Sequence, residues 1–203
     1  VDPNSDTYIT SLGRTGVLHP AFGTWWDGAP NGQPFIVVSG NQPKVPMTFY
    51  YTRDSEPGPY PIPLNAPIQG GADSTGDRHV IVIDKDNGLL YELYEAYPDS
   101  ATGGWKATSG AIFDLKTNAL RPKGHTSADA AGLPIYPGLV KYDEVMVKKE
   151  INHAIRFTAN RTRKGYVYPA RHSAGYSHDA SLPPMGMRVR LKASYDISSY
   201  SET

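Results

Sequence analysis

Cysteine is absent from the 203 residues, so disulfide scaffolds, thiolate metal sites and Cys nucleophiles are ruled out. Charge of either sign is scarce, and 20 Lys+Arg balance 20 Asp+Glu to a formal net charge of zero. A uniformly basic nucleic-acid binder is thereby excluded, because phosphate neutralisation needs an excess of Lys and Arg on one face. No apolar run approaches the ~20 residues that a bilayer demands, so no membrane span is expected. Glycine-rich phosphate loops are missing as well. No G-x-G-x-x-G leads from a strand into a helix, no G-x-x-x-x-G-K-[ST] occurs, and the G-x-S-x-G elbow of α/β-hydrolases is lacking. No organic cofactor is expected on these grounds, while a metal ion is left open.

What is abundant points the other way. The chain holds 20 Gly, 18 Pro, 14 Tyr and 3 Trp, against only 20% charged residues. Turn formers and aromatics replace the Lys and Glu of helical surfaces. This favours an all-β or β-rich single domain, sandwich- or jelly-roll-like, with long Pro/Gly-rich loops. A Tyr-rich surface suits sugar stacking and is equally common in ordinary β-proteins.

Residues 1–76 read as an extended, Pro-rich arm carrying two strands, Phe35–Ser39 and Met47–Thr52, and packed on a main domain of residues 77–203. Seven prolines between Asn41 and Gly76 predict an extended coil on the surface, since proline cannot donate to a ladder. As an alternative the coil forms one wall of a groove. The strongest local signal is a hairpin: His79–Asp84 and Leu89–Ala96 flank Asn87-Gly88, whose turn type asks for positive φ at both central positions. Trp105–Leu115 is expected as a further strand, followed by a short helix opened by Ser127. Gly138–Val147, Ile151–Thr158, Gly165–Pro169 and Met187–Ser194 complete the expected strands.

Among the acids, Glu92 and Glu95 look like a glycosidase pair. Strand alternation separates them, however, since residues three apart point to opposite faces. Glu92 falls with Leu90 and Tyr94, and Glu95 with Leu89, Tyr91 and Leu93. The second carboxylate must then come from Asp114, Asp129, Asp143 or Glu144, and its spacing would decide between retention and inversion. Alternation also turns His153 inward, where it is either a supporting base or a hydrogen-bonded core residue. Asp77 and His79, two apart, have the spacing of a carboxylate orienting an imidazole. His79, His125 and His172 are the candidate metal ligands, although no H-E-x-x-H spacing supports them. The stretch Tyr166-Val-Tyr-Pro-Ala-Arg171-His172 holds residue types used by uronate lyases, or a loop tied down by its own polar side chains. Trp25, Trp26 and Trp105 are candidate stacking platforms, with Arg156, Arg171 and His172 as further substrate contacts.

Several long motifs carry a resemblance: Gly76-Asp-Arg-His-Val, Leu90-Tyr-Glu-Leu-Tyr, Ser109-Gly-Ala-Ile-Phe-Asp-Leu, Thr126-Ser-Ala-Asp-Ala-Ala-Gly-Leu-Pro, Leu139-Val-Lys-Tyr-Asp-Glu-Val, His153-Ala-Ile-Arg-Phe-Thr and Leu182-Pro-Pro-Met-Gly. Together they resemble a family of uncharacterised secreted bacterial proteins. The resemblance covers most of the chain and implies export, without naming an activity. Members of that family continue past the point matching Tyr195-Asp-Ile-Ser198, and the chain begins at Val1 rather than Met. A shortened or processed form is therefore expected.

Three functional readings follow. The first is a secreted polysaccharide-cleaving enzyme, a glycoside hydrolase before a lyase, with Glu92 and Asp129 as its carboxylates, His153 in support and an aromatic-lined groove. The second is a non-catalytic carbohydrate or cell-surface binding module using the same aromatics. The third is a self-assembling protein in which residues 41–76 lie on a neighbouring copy.

Overall fold

The computed structural model describes residues 2–16, 25–26, 29–30 and 32–200, and the side chains of residues 25–31 lie outside the description. After helix α1 (Ser5–Leu12), strands β1 (Trp25–Trp26) and β2 (Ala29–Pro30) form a small antiparallel ladder. The body of the fold is β-rich. A four-stranded sheet has the order β3 (Phe35–Val38), β5 (Val80–Asp84), β6 (Leu89–Tyr94), β9 (Ser109–Asp114). A three-stranded sheet has the order β4 (Met47–Phe49), β8 (Gly104–Ala107), β7 (Tyr97–Asp99). The two strands expected in the first 76 residues enter these sheets in parallel pairs, β3 on β5 and β4 on β8.

Alternation along the larger sheet makes two cores. Val80, Val82, Tyr91 and Leu93 point to one face, where they meet Tyr60, Ile62, Ala66 and Trp105. Ile81, Ile83, Leu90, Ala111 and Phe113 point to the other and are covered by Ala128, Ile135 and Leu139. Covering both faces explains why β5 is apolar from Val80 to Ile83 and entirely buried. Each fully buried Leu, Ile or Val contributes roughly 1.5–3 kcal/mol. The Pro-rich segment is interrupted by turns and is more than a surface coil: Tyr60 and Ile62 are fully buried and seat it in the core of its own chain.

The expected β5–β6 hairpin is present, with Asp84 opposite Leu89. Its turn differs from the two-residue form. Residues 85–88 make the connection, the Gly88 N–H returns to the Asp84 carbonyl at 2.9 Å, and of Asn87 and Gly88 only Gly88 has positive φ, +67°. The Asp84 carboxylate does the remaining work, accepting from the Asn87 N–H at 3.0 Å and its side-chain amide at 2.7 Å.

The single strand expected over Trp105–Leu115 is two strands, because the chain passes from one sheet to the other at Thr108. Beyond Asp114 the expected strands do not form. Tyr136–Gly138 is a 3-10 turn and Asp143–Lys148 a π-helix, while Ile151–Thr158, Gly165–Pro169 and Met187–Ser194 hold no named strand. Ser127 opens a bend rather than a helix. The edge of β9 that would extend the sheet is already occupied. The Gly110 N–H donates to Ser55 Oγ at 3.1 Å, and the Ile112 N–H to Glu56 Oε2 at 3.2 Å. Glu56 is itself clamped by Arg121 Nη1 at 2.6 and 2.7 Å. An alternating pattern without a free ladder stays irregular, and Val189 and Leu191 are accordingly exposed.

Candidate functional site

Two acidic centres lie three residues apart, one inside β6 and one just past its end, and they differ in burial and in hydrogen-bond partners. The first is Glu92. On β6 it is flanked across the ladder by Ile81 and Ala111, and it is fully buried beneath the segment of residues 127–139. Its carboxylate accepts the Ile135 N–H at 3.0 and 2.9 Å and the Tyr136 N–H at 2.9 Å. Burial pushes its pKa up to about 7; the two backbone donors oppose this, Asp129 adds to it and Arg156 opposes it.

Asp129 belongs to the same neighbourhood. Its Oδ1 accepts from Arg156 Nη2 at 2.7 Å and its Oδ2 from the Ala131 N–H at 2.9 Å. His79 closes the cluster. Its Nε2 is 3.0 Å from the Ala128 carbonyl and its Nδ1 is 2.6 Å from the Gln69 side-chain amide, and burial holds the ring below the usual His range. Asp77 acts on His79 through its charge rather than as a hydrogen-bond partner for the ring.

The structure thus brings Glu92, Asp129 and Arg156 together, three of the residues singled out by sequence. A carboxylic acid still protonated near neutral pH is what a general acid requires. But Glu92 has no exposed surface, and both its oxygens are occupied by backbone N–H groups. With residues 127–139 in place, no substrate atom reaches it.

The other expected residues are elsewhere. His153 sits in a loop, half-buried, and joins a different cluster: its Nε2 is 3.1 Å from Glu144 Oε2 and 3.5 Å from Lys141 Nζ. The inward strand position inferred for it does not exist, because Ile151–Thr158 is not a strand. Trp105 is a correction of a different kind. Expected as a stacking platform, it is fully buried in the core, with its indole N–H lacking a partner. Trp25 and Trp26 are paired strand residues whose side chains lie outside the described residues. Arg171 and His172 tie down a loop, through Arg171 Nε to the Arg121 carbonyl at 2.8 Å and His172 Nδ1 to the Ala130 carbonyl at 2.7 Å. Among the described residues no group of three or more His, Asp or Glu is placed to hold a metal ion.

Strand arithmetic puts the second acid, Glu95, on the face of Leu89, Tyr91 and Leu93, and the structure corrects that. β6 ends at Tyr94, and Glu95 adopts a left-handed backbone at φ +50°. That turns the chain out of the large sheet towards β7. Alongside it, β8 crosses to β9 at Thr108, whose N–H donates to the Tyr94 carbonyl at 2.9 Å and whose hydroxyl donates to Glu95 Oε2. Where the two strands change sheets, the surface is concave. A groove of about 440 Å³ is lined by Thr48, Phe49, Tyr50, Glu95, Tyr97, Lys106, Ala107 and Thr108. Tyr50 is 79% exposed and Tyr97 50%. Beneath Tyr97 the buried Arg78 guanidinium stacks on the ring at 4.1 Å from its centroid, and donates to the carbonyls of Ala72, Ser74 and Ala96. The Tyr97 ring is thereby held in place as a platform.

A left-handed non-Gly residue costs of order 1–3 kcal/mol and tends to persist at functional positions. Sequence holds one sign of this groove: Tyr50-Tyr51 and Tyr97 fall just past the ends of apolar runs, where side chains of a strand leave the core. No family model matches this chain, and no curated protein or solved structure is similar to it.

Proposed function

We propose that this chain is a secreted carbohydrate-binding protein that engages a glycan in the open groove between Tyr50 and Tyr97. The observation that carries the reading is the composition of that groove: exposed tyrosine rings beside a carboxylate, an ammonium group and two threonine hydroxyls. Tyrosine supplies an apolar face for the C–H side of a pyranose and a polar tip for its hydroxyls. Charged and hydroxyl groups at the rim fix orientation, which is how a small polar set confers specificity on a largely apolar site. Secretion rests on the resemblance drawn from the sequence. Among the described residues no helix is long and apolar enough to cross a membrane.

A polysaccharide-cleaving enzyme is the second reading, favoured by one observation, the acid Glu92 raised to about 7 beside Asp129. It requires residues 127–139 to lift away and expose that carboxyl group. The experiment is affinity electrophoresis and column retention on a panel of polysaccharides, with mass spectrometry of any products. Retention without products, weakened at least tenfold in Tyr50→Ala and unchanged in Glu92→Gln, is expected. Release of oligosaccharides that Glu92→Gln abolishes would replace binding by catalysis.

A further inference from the structure

We propose that the groove selects neutral glycans and rejects acidic ones, with Glu95 bonding a pair of sugar hydroxyls; this rests on the carbohydrate-binding reading above. The argument is one of charge. Lys106, the cation that lines the groove, is already compensated: its Nζ lies 3.3 Å from Asp99 Oδ2. Asp99 is held ionised by Thr102, Lys106 and the Ala101 N–H, its pKa lying below the usual range in spite of burial. Arg78 is buried under Tyr97 and committed to carbonyl groups, so it offers no fork to an incoming carboxylate.

Glu95 is different. It is half-buried, forms no ion pair among the described residues, and its Oε2 accepts only the Thr108 hydroxyl. Burial raises the pKa of the neighbouring Tyr94 phenol, and the charges of Glu95 and Asp77 add to that shift. The groove therefore presents a carboxylate that has no ion-pair partner among the described residues. A uronate or sulfated chain would bring like charge against it, which is costly in a partly desolvated site. Two adjacent hydroxyls of a neutral pyranose instead supply two donors, and hydrogen bonds to an ionised acceptor are about twice as strong as neutral ones.

The test is retention of the full chain on a neutral β-glucan and a neutral xylan, on a polyuronate, and on chitosan, all at low ionic strength, for the natural protein and for Glu95→Gln. Expected are retention on at least one neutral polymer, none on the polyuronate, and a tenfold or greater loss in Glu95→Gln with an unchanged melting temperature. The same loss in Thr108→Val together with Glu95→Gln, no larger than in Glu95→Gln alone, would mark the two as one unit. Preferential retention on polyuronate or on chitosan, or neutral-glycan binding indifferent to Glu95→Gln, overturns this selectivity while leaving carbohydrate binding standing. Retention on no polymer at all overturns both.

Discussion

Glu92 and Glu95 are three residues apart, yet one is a structural clasp and the other faces open space. Glu92 lies inside a ladder whose neighbours on both sides are apolar, and among the described residues the donors that reach it are the backbone N–H groups of Ile135 and Tyr136. Its role is to hold residues 127–139 against the sheet. Glu95 lies one residue beyond the ladder, and its left-handed backbone takes the side chain out of the alternation. The contrast teaches that the end of a strand, more than the identity of the side chain, decides whether an acid is sealed in the core or left at a groove.

Replacing Glu92 by Ala is the largest test of that contrast. It strands two buried N–H groups, each worth about 1–3 kcal/mol when unpaired. A loss of several kcal/mol by urea unfolding is expected for Glu92→Ala, with Glu95→Ala within about 1 kcal/mol of the natural protein. Comparable losses for the two would erase the distinction.

Next is the pH dependence. In the unfolded chain Glu92 ionises near 4.5, whereas in the folded chain it keeps its proton to about 7. Between those values the folded state holds the extra proton, so its contribution is fully present below about 4.5 and is lost as pH rises through about 7. The shift corresponds to about 3 kcal/mol. In Glu92→Gln, which cannot ionise, this component of the slope should vanish from stability curves measured across pH 4–8. A slope as steep as before would assign the dependence to other groups.

Smaller effects are expected in the groove. Tyr50→Ala should weaken glycan retention at least tenfold and change stability by less than about 0.5 kcal/mol, as is usual for an exposed position. Equal losses of stability and binding would make Tyr50 a packing residue. The finest probe is backbone strain at Glu95. Both Glu95→Gly and Glu95→Ala lose the Thr108 bond, but only Gly is at ease at positive φ. Glu95→Gly should be the more stable of the two by roughly 1 kcal/mol, and a difference near zero would mean that the turn relaxes on substitution.

Much of the large sheet was legible from local pattern. The apolar run of β5 and the turn residues Asn87-Gly88 place the hairpin, and the alternation of β6 assigns Leu90 and Tyr91 to opposite cores. Glu92, Asp129 and Arg156 were each identifiable as chemically interesting. Trp105 and His153 were misplaced for opposite reasons. Trp105 has the composition of a surface platform, but its side chain is fully buried in the cluster that holds Tyr60, Tyr91 and Leu93. His153 has strand periodicity, but Ile151–Thr158 pairs with no named strand, and the edge of β9 is taken by Ser55 and Glu56.

Sequence by itself determined the β-rich class, the hairpin and the two-sided burial of β5, since these depend on residues close along the chain and on a period of two. Only the tertiary structure decided that β7 and β8 leave the first sheet, that residues 127–139 seal Glu92, and that Tyr50, Glu95, Tyr97 and Lys106 share one groove. Those outcomes depend on which segments compete for the same edge or face. That competition is settled by packing between residues far apart in the chain, which no local period records.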